Sequence, residues 1–184
     1  MQQIGTKQIE TERLILRKYK VTDAEDMFVN WASSPAVTRF LTWPPYRRAS
    51  DVRLYIKSRI TEYEHKDCYD WVIEWKENHQ VIGSISVISV QEMTQSASVG
   101  YCLGEAYWGK GIMTEALKAV VRFLFTEVGF KRIKATHDVR NTASGRVMEK
   151  CGLQYEGTLR QAGFANQGVC DIVVRSILKK DYQP

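Results

Sequence analysis

Two short stretches of this chain hold residue types whose spacing suits chemistry. The first is Tyr107-Trp108-Gly109-Lys110-Gly111-Ile112-Met113. Its two glycines follow a strand-like apolar run and open an amphipathic helix. Glycine lets a backbone turn tightly and approach a ligand closely. The first N–H groups of a helix have no intrahelical acceptor, and the helix dipole makes that end partly positive. Backbone N–H groups from Trp108 to Met113, with Lys110 adding charge, form a candidate cradle for a phosphate or diphosphate. On the bare sequence, a glycine turn that only joins strand to helix fits as well. Two nucleotide-binding signatures do not fit. A P-loop needs Ser or Thr after Gly-Lys, and here Gly111 follows Lys110. A dinucleotide fingerprint needs a third glycine, and position 114 is Thr. The second stretch is Asn141-Thr142-Ala143-Ser144. Asn141 suits a helix N-cap, and Ser144 falls in that helix's first turn. Both can donate hydrogen bonds to a ligand at the strand end, or serve only the local backbone.

Other chemistries find little support. The four cysteines, Cys68, Cys102, Cys151 and Cys170, form no close pair and no metal-ligand spacing with His65, His79 or His137. They read as free or structural thiols, as expected of a reducing, cytoplasmic compartment. Cys102 and Cys151 have no neighbour in sequence that would lower a thiol pKa and read as small core residues. His137 alternates with Ile133, Ala135 and Val139 and reads as a packed strand histidine. The net charge of +5 favours an anionic ligand, but the basic residues form no block, so nucleic-acid binding is not indicated. No apolar run approaches the roughly 18 to 20 residues of a membrane span, and Met1–Lys7 has no signal-peptide core.

The elements that must position these stretches can be read from periodicity. At 184 residues, 44% hydrophobic and 26% charged, one globular domain is expected. Arg13–Tyr19 alternates like a strand. Thr22 or Asp23 is set to cap a helix carrying Ala24, Met27, Phe28 and Trp31, which Ser34-Pro35 ends. Thr42-Trp43-Pro44-Pro45-Tyr46 is a proline-stiffened aromatic loop. A helix starts at Ser50 and runs through Leu54, Tyr55, Ile56, Ile60 and Tyr63. Trp71–Trp75 and Gln80–Val90 read as a hairpin, and Ser96–Leu103 as a further strand. Met113–Val128 is the most regular helix, with Gly129 at its stop. The strand Arg132–Val139, a helix from Asn141 to Cys151-Gly152, and the strands Leu153–Gly157 and Val169–Leu178 follow. This order predicts an α/β (α+β) domain: about seven strands, mixed but mostly antiparallel, with helices on both faces and one parallel crossover from Ser96 to Val139.

Tyr107 to Ala116, with Asn141-Thr142-Ala143-Ser144 and Glu149-Lys150-Cys151-Gly152-Leu153, resembles the GNAT acetyltransferases. Ile9 to Arg17, Glu156-Gly157, Leu159-Arg160, Asn166, Gly168 and Asp171 extend the resemblance to the branch of ribosomal-protein N-terminal acetyltransferases, over essentially the whole chain. The resemblance implies a V-shaped opening between the fourth and fifth strands, ending at Leu103 and Val139. It implies acetyl-CoA as cosubstrate and no metal. The pantetheine would pair with backbone at Tyr101, Cys102 and Leu103, the diphosphate would rest on the cradle, and Asn141 would contact the pantetheine. An amine, of a protein N-terminus or of a polyamine, amino acid or antibiotic, would attack the thioester directly. Monomer and homodimer both fit. Many of these enzymes carry a Tyr acid where Met148 stands here. The ribosomal branch instead has a Ser matching Ser144, the expected donor to the CoA sulfur. Ser98 stands where the branch often has Glu, so the general base is unassigned, with Glu92 and Glu105 as substitutes in sequence, and a CoA-binding protein with weak catalysis is the alternative reading. Trp43, Tyr46, Trp71 and Ser98 are the expected acceptor-side residues.

Overall fold

Leu14 and Leu16 bury while Ile15 and Arg17 are half-exposed, and that alternation fixes which face of the first long strand meets the core. The structure, a computed structural model, describes residues 1–183. The strands are β1 (Ile9–Glu10), β2 (Leu14–Arg17), β3 (Asp70–Trp75), β4 (Val81–Gln91), β5 (Ser96–Leu103), β6 (Arg132–Asp138), β7 (Gln154–Ala165) and β8 (Gly168–Leu178). The helices are α1 (Ala24–Met27), α2 (Pro35–Thr38), α3 (Ala49–Glu62), α4 (Ile112–Phe123) and α5 (Thr142–Lys150). The eight strands form one sheet in the order β1-β2-β3-β4-β5-β6-β8-β7. Every pairing is antiparallel except β5–β6.

The expected seven strands become eight because Ile9 and Glu10 pair with Leu16 and Ile15. The helix expected after Thr22 or Asp23 starts at Ala24 with Asp23 at its N-cap position. Asp23 accepts the Lys20 N–H at 2.7 Å and is gripped by Arg17. The helix then widens, with the Ser33 N–H reaching the Phe28 carbonyl five residues back. β7 runs eight residues past the expected Gly157. It is an exposed edge strand held by its ladder to β8, so burial imposes no hydrophobic alternation that periodicity could detect.

The sheet separates two cores. Leu14, Leu16, Trp71, Ile73, Ile82 and Ile85 pack on one face against Ile112, Ala116, Leu117, Val120 and Val121 of α4. On the other face, Val72 and Val81 pack against Trp31, Val52 and Ile56 from the α1–α3 region. α4 carries the apolar stripe expected of it, and Gly129, at φ +89°, stops the wide turn that prolongs it. β5 and β6 pair only at Ser96↔Arg132, Ala97↔Ile133 and Ser98↔Lys134. Beyond Ser98 and Lys134 the two strands part, producing the expected V between the fourth and fifth predicted strands.

Candidate functional site

The split leaves β5 from Val99 onward without a strand on its β6 side. The resulting opening encloses about 560 Å³ and is lined by Val99–Leu103, Tyr107–Gly109, Gly111–Thr114, Thr136–Asp138 and Arg140–Ser144. α2 and the residues after it contribute Ala36, Val37, Phe40 and Leu41. Its volume suits a small-molecule cleft. A larger groove, about 890 Å³, runs along the outer side of α4 past β1 and Tyr182, but it holds neither the cradle nor Asn141–Ser144.

The cradle sits at the α4 N-terminus. Gly109 and Gly111 adopt φ +74° and +75°, a left-handed conformation that favours glycine. A Cβ at Gly109 would have no neighbour within 4 Å, so the turn faces open space. The N–H groups of the first helical turn have no intrahelical acceptor. Lys110 lies over the Tyr107 ring, with Nζ 5.6 Å from its centroid. The Trp108 indole N–H donates to the Leu103 carbonyl at 2.7 Å. The Leu103 carbonyl is therefore already engaged, leaving Val99–Cys102 as the stretch of β5 free to meet a ligand.

Across the opening, Asn141 caps α5 by accepting the Ser144 N–H at 3.2 Å. Its Oδ1 is thus occupied, and its Nδ2 remains for a ligand acceptor. The Tyr101 hydroxyl crosses from β5 to α5. It lies 2.9 Å from Ser144 Oγ and donates to the Ser144 carbonyl at 3.1 Å. Burial pushes the Tyr101 phenol well above its ordinary range, so it stays protonated. His137 lies along the wall; its Nδ1 is 2.8 Å from the Asp138 carbonyl. A Cβ on Gly145 would fall 2.8 Å from His137 Nε2, so the ring is packed against α5. Asp138 receives Arg140 Nε and Nη2 at 2.9 and 2.6 Å, and those hydrogen bonds lower its carboxyl to about 2.

The cysteines are not poised for acyl transfer. Burial pushes the Cys102 thiol up to about 11 and the Cys151 thiol up to about 12. Cys102 Sγ lies 3.3 Å from Ser84 Oγ, and Cys151 donates to the Thr114 carbonyl at 3.5 Å. Among the described residues, no group of three or more His, Cys, Asp or Glu could hold a metal ion, and no helix is long and apolar enough to cross a membrane.

The acceptor-side residues are scattered. Trp71 is fully buried, its indole N–H donates to the Lys7 carbonyl at 2.7 Å, and its ring packs on Phe123 on the α4 face. It presents nothing to the opening. Ser98 is buried at the last paired position before the split and does not line the opening. Trp43 and Tyr46 pack on each other, centroids 5.6 Å apart, against the second core. Phe40 and Leu41, just before that loop, reach the opening instead. Neither Glu92 nor Glu105 lines it.

This geometry has counterparts among known proteins. The model of the acetyltransferase (GNAT) domain family matches residues 13–154. The chain belongs to the GNAT acetyltransferase family. It is 31% identical over 172 residues to the uncharacterized N-acetyltransferase p20 of Bacillus licheniformis, covering 94% of this chain and 96% of that one. It is 28% identical over 133 residues to the ribosomal-protein-serine acetyltransferase of Escherichia coli, covering 72% and 73%. The structure of the microcin C7 self-immunity acetyltransferase MccE, in complex with acetyl-CoA and AMP, superposes with a TM-score of 0.81 over 91% of this chain and 93% of that one, at 22% identity. The enzyme class that follows is N-acetyltransferase.

In this GNAT acetyltransferase the cradle is braced by residues with no sequence signal of their own role. Glu115, in the first turn of α4, accepts the Thr11 hydroxyl at 2.6 Å, the Arg13 N–H at 3.0 Å and Arg13 Nε at 2.7 Å. Burial would raise its carboxyl, but these hydrogen bonds win and hold it below the ordinary range. Arg13 Nη1 also donates to the Lys110 carbonyl at 3.1 Å, tying β2 to the glycine turn. The Tyr101–Ser144 bridge is likewise invisible to spacing, because its partners lie 43 residues apart.

Proposed function

We propose that this enzyme transfers an acetyl group from acetyl-CoA to a primary amine at the end of a polypeptide. The observation that carries this reading is the split between β5 and β6, with the cradle on one side and Ser144 on the other. Acetyl-CoA supplies a thioester carbonyl for the amine to attack and a thiolate as leaving group. The cradle's N–H groups suit its diphosphate, and the unpaired backbone of Val99–Cys102 suits its amides. Asn141 Nδ2 is free to donate, as Oδ1 is spent on the helix cap. Ser144 is the donor that returns a proton to the leaving sulfur, and the Tyr101 phenol holds that hydroxyl in place. As the amine bonds to the carbonyl carbon, the C–S bond breaks, Ser144 gives its proton to the departing sulfur, and the proton shed by the amine returns through solvent to Ser144.

The lining bears on the acceptor. Among the described residues, Asp138 is the one acidic residue lining the opening, and Arg140 already neutralises it. A polyamine or a polycationic antibiotic would find no free carboxylate there. A neutral α-amine requires none, since its pKa, about 7.7 to 8.0, already leaves a sizeable neutral fraction near neutral pH. The relative in Escherichia coli, named for a ribosomal-protein serine, points to the same acceptor class. The test is incubation with acetyl-CoA and a panel of peptides, amino acids and polyamines, with mass detection of one added acetyl group. Acetylation of peptide α-amines supports the reading. Preferential acetylation of polyamines refutes the acceptor, and tight CoA binding without any turnover refutes catalysis.

A further inference from the structure

The β7–β8 hairpin turns at Asn166 and Gln167, between Ala165 and Gly168. Its tip reaches a loop more than 120 residues earlier in the chain. Asn166 Nδ2 donates to the Thr38 carbonyl at 2.8 Å and to the Trp43 carbonyl at 2.6 Å. The Asn166 backbone N–H donates to the Leu41 carbonyl at 2.9 Å. Three carbonyls of one short loop thus converge on a single residue. Among the described residues, no other side chain from outside that loop hydrogen-bonds to it, and its regular structure ends with α2 at Thr38.

The position of this contact gives it meaning. The hairpin belongs to the β6-β8-β7 arm of the split sheet. Val37, Leu41 and Trp43 belong to the second core, packed with Val72 of β3 and Val81 of β4 on the other arm. Asn166 therefore ties the two arms together across the opening. Phe40 and Leu41, held between the bonded carbonyls, are the loop residues that line it. The pattern is also chemically selective. A carboxamide N–H₂ can serve two carbonyls at once, whereas a carboxylate of the same shape accepts only and would face them with like partial charge.

We infer that Asn166 is a positioning residue for the acceptor: it latches the 38–43 loop so that Phe40 and Leu41 form the acceptor side of the opening. This rests on the acetyltransferase reading above, and it adds that acceptor recognition depends on the hairpin of the opposite arm. The cradle, Asn141 and Ser144 do not touch the latch, so cosubstrate binding is independent of it.

Asn166→Asp tests the latch, with Asn166→Ser as a second variant that removes the two donors without adding charge. The tip is exposed, so both variants retain the core. The acceptor KM is expected to rise about tenfold for Asn166→Asp and less for Asn166→Ser, in line with the loss of one to two net hydrogen bonds. The KM and calorimetric affinity for acetyl-CoA stay within about twofold, since nothing at the cradle changes. Amide hydrogen exchange at Phe40–Trp43 speeds up. An unchanged acceptor KM, or acetyl-CoA and acceptor KM rising together, overturns the inference. If the unmodified enzyme acetylates no amine, the proposed function fails on its own terms; the exchange experiment still decides whether the latch exists, and unchanged exchange at Phe40–Trp43 in Asn166→Asp refutes it.

Discussion

Replacing Tyr101 by Phe keeps the ring that packs beside the main core and removes a single oxygen. That oxygen sits 2.9 Å from Ser144 Oγ and 3.1 Å from the Ser144 carbonyl, in a half-buried wall of the opening. A hydrogen bond of this kind contributes about 0.5 to 1.5 kcal/mol net, so the stability loss should be about 1 kcal/mol. In catalysis, Ser144→Ala removes the proposed donor to the leaving sulfur and should cost about 100-fold in kcat, the low end of general-acid contributions. Tyr101→Phe leaves the donor but frees it to rotate, so its cost in kcat should be about tenfold, equivalent to roughly 1.4 kcal/mol. The two residues act as one unit, which makes the double variant decisive. Adding Tyr101→Phe to Ser144→Ala should lower kcat by less than about twofold, because there is no hydroxyl left to hold. The assay is thiol release from acetyl-CoA at saturating acceptor, with the KM for acetyl-CoA followed in parallel. If Tyr101→Phe costs the same tenfold with and without Ser144, the phenol acts by another route and the bridge is structural.

Three further outcomes follow from the same geometry. Glu115→Ala releases Thr11 and Arg13 from α4, and should lower stability by about 1 to 2 kcal/mol while raising the acetyl-CoA KM severalfold; an unchanged KM would separate the brace from the cradle. With no free carboxylate lining the opening, kcat/KM should rise with pH until the acceptor's own amine is neutral, and the midpoint should move when the acceptor is changed. A midpoint that ignores the acceptor would reveal an enzyme base. Asp138, lowered to about 2 by Arg140, stabilises the fold at neutral pH and loses that contribution as pH falls from about 4 toward 2. Denaturation of Asp138→Asn should therefore lose less stability than the unmodified enzyme over that interval; parallel curves would count against the pairing.

The parts of this enzyme legible in its sequence are those where local rules and tertiary demands coincide. The Gly109-Lys110-Gly111 turn reads correctly because positive φ and a helix start are local properties. Asn141 reads correctly as a cap for the same reason. α4 is legible because its apolar stripe is continuous from Ile112 to Val128. What escaped depends on distance in sequence. Trp71 and Trp43 are both aromatic residues near turns, yet the β3 register sets Trp71 against α4 while the loop after α2 carries Trp43 to the other face. The engagement of the Leu103 carbonyl by Trp108 is short-range, but it depends on an indole rotamer that spacing does not reveal. β7 is held by its ladder to β8, which leaves its sequence free of alternation.

The split between β5 and β6 poses a mechanical problem that these long-range contacts answer. A parallel pair that stops after three residues leaves the two arms without a shared ladder beyond Ser98 and Lys134, so contacts outside the sheet set the gap there. Tyr101, on β5, reaches Ser144, on the helix that follows β6, and ties the arms beside the α5 N-terminus. Asn166, on the β6 side, reaches the 38–43 loop packed on the β5 side, and ties them beside Phe40 and Leu41. The Arg13–Glu115 brace holds the third corner, fixing the cradle to β2. None of the three is a ladder bond, so each can be removed by one substitution without unpairing a strand. The ties should then separate kinetically: loss at Tyr101 in kcat, at Asn166 in the acceptor KM, and at Glu115 in the acetyl-CoA KM. Equal loss in all three parameters from any one substitution would mean that the arms move as a single rigid body and that the gap is set by the sheet alone.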